Sequence, residues 1–227
     1  MTAFWRVVWL VVRKDLQVEF RSLEIVSTTL FFAVTVVLVF SFGLITDGNP
    51  PDDVAAAILW IAIAFSGTLA LGRTFDRERQ NETLRALLLA PADRPALYVG
   101  KLAGLLAILG LVELILLALV AVLFQAPILE QPMRLAALML TGTLGFASVG
   151  TLFAAMLVRV RSRDVLLPIL LYPITIPAMI AGVRGTAALW QSTPDPGVAQ
   201  FWLGLLGFFD VVFVTLALWT FEPLLTD

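Results

Sequence analysis

The chain has 227 residues, no Cys and no His, 60% hydrophobic and 14% charged side chains, and a formal net charge of −2. A soluble domain averages about 45–50% apolar and about 25% charged residues, whereas here the apolar residues come in runs of roughly 20, the length that crosses a bilayer. Composition therefore excludes disulfides, Cys or His metal sites and His general-base chemistry, and predicts an all-α polytopic membrane protein, a single transmembrane domain over 1–227.

Residues 1–22 predict a separate amphipathic helix. On a helical wheel Arg6, Arg13, Lys14, Gln17 and Arg21 share one face, and Trp5, Val8, Trp9, Val12, Leu16 and Phe20 the opposite one. Such a helix is expected in the cytoplasmic interface with its Trp rings at headgroup depth. It reads either as a simple anchor or as an elbow that packs on the bundle and positions it. Arg6, Arg13, Lys14 and Asp15 interrupt the apolar residues and no A-x-A site follows, so a cleaved signal is not expected.

Six spans follow, at about 25–45, 54–72, 99–124, 134–158, 165–183 and 201–221. The connectors are "TDGNPPDD", a cytoplasmic loop over 73–98, "QAPILEQP", "RVRSRD" and "RGTAALWQSTPDPGVAQ", with a short tail at 222–227. The Pro, Gly and Asp content of the first connector marks a turn, and the last has room for a short interfacial turn. One side of this arrangement carries Arg6, Arg13, Lys14, Arg21, Arg73, Arg77, Arg79, Arg85, Arg94, Lys101, Arg159, Arg161 and Arg163, and the other only Arg134 and Arg184. The excess of positive charge places both termini and the loops at 73–98 and 159–164 in the cytoplasm. An odd number of spans would scramble that asymmetry.

The 73–98 loop is long for a connector. From about Asp76 to Leu89 it suits a helix, with Leu84, Leu87 and Leu88 forming one apolar stripe. Arg79–Glu82 and Glu82–Arg85 can pair at i, i+3 on the other side. Pro91 ends this helix. Asp93 suits the N-cap of the third span, with Pro95 in its first turn. The stripe needs a cover, either lipid and bundle or a groove on a cytoplasmic partner.

The passage "RERQNETLRALLLAPADRPALYVGKL" resembles the cytoplasmic loop of ABC-2 type transporter permeases, which lies between the second and third of six spans and supplies the coupling helix that fits a cleft on an ATPase subunit. Within that superfamily the chain is similar to the CcmB family, the haem exporter B subunits of bacterial cytochrome c maturation. The opening "FWRVVWLVVRKDLQVEFRS", the direct run from the loop into the third span, and the proline-rich "LLPILLYPITIPAMIAG" carry this narrower likeness, which covers essentially the whole chain.

The resemblance implies a non-catalytic permease subunit in the bacterial inner membrane, with Arg79, Glu82, Thr83, Leu84, Leu87 and Leu88 at the contact with the ATPase. It implies a CcmA-like ATP-binding subunit, CcmC-like, CcmD-like and CcmE-like partners, and two permease bundles per complex. ATP would bind the partner, and haem would be handled by the complex as a whole. A permease of the same superfamily for a lipid, polysaccharide or drug is the alternative. The sequence agrees about the motor. A P-loop needs two glycines ahead of Lys-Ser/Thr, but Gly100–Lys101 is followed by Leu102, with Pro95 where the first glycine would stand.

Several further residues have two readings. Pro168, Pro173 and Pro177 in the fifth span free carbonyls near Ile169 and Pro173, which neighbours, water or Thr175 must satisfy; the segment is either an ordinary kink or a hinge. Glu113 and Asp210 lie mid-span, where a carboxylate is costly, and are expected to be neutral or hydrogen-bonded to another helix, with a polar pathway site as the alternative. Met133, Met139, Met156, Met179, Tyr98 and Tyr172 are the remaining residues of haem-ligating type and read as core fillers. Gly100–Gly104, together with Thr141, Gly142, Gly145, Ala147 and Thr151, predicts close helix approach. Arg159, Arg161 and Arg163 either set topology or touch the ATPase. An intramembrane enzyme would need an activated nucleophile or a metal cluster, for which the chain lacks the residues.

Overall fold

A computed structural model describes residues 2–44, 54–80, 94–158, 160, 162–191 and 193–224. Seven helices are present among them: α1 (Thr2–Ser22), α2 (Glu24–Leu44), α3 (Val54–Gln80), α4 (Arg94–Phe124), α5 (Pro132–Met156), α6 (Arg163–Trp190) and α7 (Pro196–Leu224). Six of them, α2 to α7, are long and apolar enough to cross a membrane, α3 over Val54–Phe75. An all-helical bundle is what lipid demands, because every backbone N–H and C=O must find its partner within the chain.

α3 and α5 are the most buried spans. α5, α6 and α7 pack mutually, α3 lies against α2, α4, α5 and α6, and α1 packs along α4. Small residues decide these approaches, since lipid tails give no hydrophobic push between helices. Trp60 of α3 is fully buried. Its indole lies over Gly142 of α5 and Gly182 of α6, where an added Cβ would come within 2.5 Å of the indole Cε2 at Gly182, and its Nε1–H donates to Thr186 Oγ1 at 3.0 Å. Along the α3–α5 seam Phe146 fills the space over Gly67, and Leu71 the space over Gly150. The thin fourth span read from the sequence is thus a row of sockets for α3. Tyr98 of α4 donates to Ser148 O at 3.0 Å and stacks on Phe221 of α7, with ring centroids 5.2 Å apart.

α4 starts at Arg94, ahead of the membrane-crossing stretch expected from about Val99, and has Pro95 in its first turn as expected. Two other helix ends depart from expectation. α3 runs unbroken to Gln80, so Asp76–Gln80 continue the second span's helix instead of opening a separate one. α6 continues past Val183 to Trp190, so the expected connector over 184–200 shrinks to residues 191–195. Arg184 is exposed on α6 while Gly185 to Trp190 are buried, so this charge does not end the span. Asp195 Oδ1 accepts from the N–H groups of Gly197 and Val198 at 2.9 and 3.1 Å, capping α7 ahead of Pro196 at its first position.

Candidate coupling end of the bundle

The residues of the expected contact with an ATPase, Glu82, Thr83, Leu84, Leu87 and Leu88, lie outside the described residues, as do Arg159, Arg161 and the connector at 45–53; Arg79 falls in the last turn of α3. What the structure describes is the end of the bundle from which residues 81–93 depart. There α3 finishes and α4 and α6 begin, so chain direction alone places the three helix ends together. Two buried cations tie this end together, one between α4 and α1 and one between α6 and α3.

The first is Lys101. It counts in the sequence among the cytoplasmic charges, yet its side chain is only 7% exposed and its Nζ lies 2.7 Å from Asp15 Oδ2 of α1. Asp15 Oδ1 also pairs with Lys14 at 3.0 Å. The fit beneath this pair comes from Gly100 and Gly104, four residues apart on α4, which receive Val11 and Asp15, four residues apart on α1. A Cβ on Gly100 would stand 2.8 Å from that of Val11. The expected glycine pair is thus filled from within the chain. α1 has three faces rather than two: Val8, Val11, Asp15 and Glu19 turn toward the bundle, while Trp5, Trp9 and Phe20 are exposed beside the basic face. Val8, grouped from the sequence with the aromatic face, belongs to the packed one. Of the two readings of the first helix, the geometry is that of an elbow packed on the bundle. Sequence reasoning missed Asp15 and Glu19; their spacing from Val11 at i+4 and i+8 was the available signal.

The second cation is Arg163, the first residue of α6. It is 4% exposed, donates from Nη2 to Gly72 O of α3 at 2.9 Å, and has Asp164 Oδ1 at 3.4 Å from Nε. Its place is a tie between two helices.

The mid-span acids do not form one site. Glu113 of α4 accepts from the Thr143 hydroxyl of α5. Asp210 of α7 lies against Gly145, where a Cβ would be 2.8 Å from Asp210 Oδ1, an oxygen with no hydrogen-bond partner among the described residues. Thr143 and Gly145 are two positions apart and face opposite sides of α5. Glu113 thus has an interhelical bond, and Asp210 has none among the described residues. Pro168 borders a cavity, and Pro173 and Pro177 lie on the exposed side of α6. Thr175 donates to Leu171 O at 2.9 Å, not to the carbonyls of Ile169 or Pro173. If the prolines form a hinge, replacing Pro173 and Pro177 by alanine leaves assembly intact and lowers turnover several-fold, read as ATP-dependent activity of the reconstituted complex; unchanged turnover assigns them a static kink. No group of three or more His, Cys, Asp or Glu is gathered among the described residues.

These features define a multi-pass helical membrane protein with a mechanically tied end and an elbow helix. The CcmB protein family model matches residues 6–224. "Heme exporter protein B" of Escherichia coli K12 is 32% identical over 200 residues, 88% of each chain. Its namesake in Rhodobacter capsulatus is 28% identical over 185 residues, 80% of this chain and 84% of the relative, and that of Pseudomonas aeruginosa is 25% identical over 186 residues, 82% of each. The chain belongs to the CcmB family.

Proposed function

We propose that this chain is the permease subunit of an ABC transporter complex for cytochrome c biogenesis in the bacterial inner membrane, with both termini cytoplasmic. ATP is hydrolysed on a separate CcmA-like subunit, and the bundle couples that cycle to haem export or to release of a haem-loaded chaperone of CcmE type. CcmC-like and CcmD-like proteins and a second permease bundle complete the assembly. The observation that carries this reading is the family match over nearly the whole chain, whose relatives bear the name heme exporter protein B. The lack of a phosphate-binding loop in the sequence supports an external motor, and the excess of Lys and Arg on the loop side supports the orientation.

The ties described above suit the role. A push on residues 81–93 reaches α3 and α4 together because it acts at the end of one and the start of the other. Arg163 carries it from Gly72 to α6, and Lys101 carries it to α1. The test is purification of the tagged chain in mild detergent from its native host, with identification of bound subunits. An ATPase together with a haem-handling protein is expected. An ATPase alone moves the assignment to a permease for another substrate, and neither would overturn both. Replacing Leu84, Leu87 and Leu88 with aspartate is expected to abolish ATPase retention while membrane insertion stays normal, since a helix-in-groove contact depends on its apolar anchors. Undiminished retention would separate the motor contact from this loop.

A further inference from the structure

A cavity of about 590 Å³ opens between α2, α3 and α6, within the roughly 300–1,000 Å³ typical of small-ligand sites. Its chemistry is graded along the membrane normal. The deep end is aromatic: Phe65 meets Phe32 edge-on at 6.5 Å and Tyr172 at 5.8 Å between ring centroids. Phe32 and Phe65 are 40% and 46% exposed, so this end faces the lipid phase sideways. The other end carries Arg73 and Asp164. Phe65 and Arg73 are eight residues apart on one helix, a rise of about 12 Å, enough to pass from acyl chains to headgroup level. The floor between them is kept open by Gly72, around which an added Cβ would meet nothing within 4 Å.

The two charges at the mouth are not spent on each other. Among the described residues the acid near Arg73 is Glu24, at 4.0 Å, and the Arg73 side chain is 47% exposed. Asp164 is 79% exposed and is touched by Arg163 Nε at 3.4 Å on one oxygen. A carboxylate offers about four acceptor positions, so most remain open. Pro168, which also lines the cavity, has no N–H to give the carbonyl of Asp164 four residues earlier. The mouth thus presents one guanidinium and the carboxylate of Asp164. An anionic amphiphile would meet the guanidinium but be repelled by Asp164. A cationic one would be repelled by Arg73. A molecule with both signs satisfies both, and a primary ammonium, with three N–H donors, hydrogen-bonds the Asp164 carboxylate where a quaternary one cannot.

We propose that this cavity is a binding site for a zwitterionic phospholipid with a primary-amine headgroup, its phosphate on Arg73, its ammonium on Asp164 and the start of an acyl chain against Phe32, Phe65 and Tyr172. The lipid wedges between α2 and α6 where no side chain fills the space, and so sets the spacing of α2 from the rest of the bundle.

The test is native mass spectrometry of the full-length chain, stripped of lipid in detergent and offered equal amounts of dioleoyl phosphatidylethanolamine, phosphatidylglycerol and phosphatidylcholine, with haem in a separate arm. The wild-type chain is expected to retain one phosphatidylethanolamine in preference to the other two lipids. Asp164→Asn lowers that retention about tenfold, the worth of one hydrogen bond to a charged group, and leaves phosphatidylglycerol unchanged or stronger. Arg73→Gln weakens both. Both replacements are at exposed side chains, and an unchanged elution profile verifies the fold of each variant. Equal or better retention of phosphatidylglycerol, phosphatidylcholine or haem by the wild-type chain would overturn the proposal. So would undiminished phosphatidylethanolamine retention in both variants.

Discussion

Truncating Trp60 to alanine is expected to lower the stability of the bundle by about 3 kcal/mol, the lower end of the range for buried aromatic side chains. The value sits low because lipid is as apolar as the bundle interior, so the loss is of van der Waals contact rather than of transfer out of water. It remains large because one indole is packed against three helices, its own α3, Gly142 of α5 and Gly182 of α6, and is hydrogen-bonded to Thr186. Trp60→Phe keeps most of the packing and loses the N–H donor, at about 1 kcal/mol. Gly182→Leu attacks the same junction from the other side by overpacking, at about 1–3 kcal/mol or more. The measurement is unfolding by SDS followed by far-UV circular dichroism. An SDS midpoint unmoved by Trp60→Ala would mean that these helices do not meet at this ring.

The second large effect is expected at the elbow. Asp15→Ala removes the carboxylate facing Lys101, and breaking a buried ion pair on one side costs about 3–5 kcal/mol. The side chains are 15% and 7% exposed, so solvent screens the pair little. The double replacement Asp15→Leu with Lys101→Met is expected to restore most of that loss, because two apolar groups of similar volume carry no desolvation penalty. If single and double variants unfold alike in the same SDS titration, the pair contributes nothing and Val8 and Val11 alone hold α1 on α4.

Number, type and order of spans were legible because a bilayer imposes one length and one secondary structure on every crossing. Their ends were less so. Arg184 looked like the close of the fifth span, but a long side chain can reach water from within a helix, and the buried run from Gly185 to Trp190 carries α6 onward. Asp195 with Pro196 was read as loop and is a helix cap. The glycines at 100, 104, 142 and 145 announced close approach without naming the neighbour, since pattern along one helix holds no address. Val11 lies 89 positions from Gly100, and Trp60 lies 122 from Gly182. Lys101 and Arg163 entered the sequence reading only as charges of the cytoplasmic side, because a charge tally is blind to the partner that permits burial.

Leu23 stands alone between α1 and α2 with φ 50, a left-handed residue where a glycine is usual. The joint is braced across the break: Glu19, itself buried, accepts the N–H of Val26 at 2.8 Å. A pivot this short leaves no slack. Because α1 is clamped to α4 at its middle and pinned to α2 at its end, the three behave as a crank. A tilt of α4 must drag the root of α2, a helix that among the described spans packs mainly on α3 and α4.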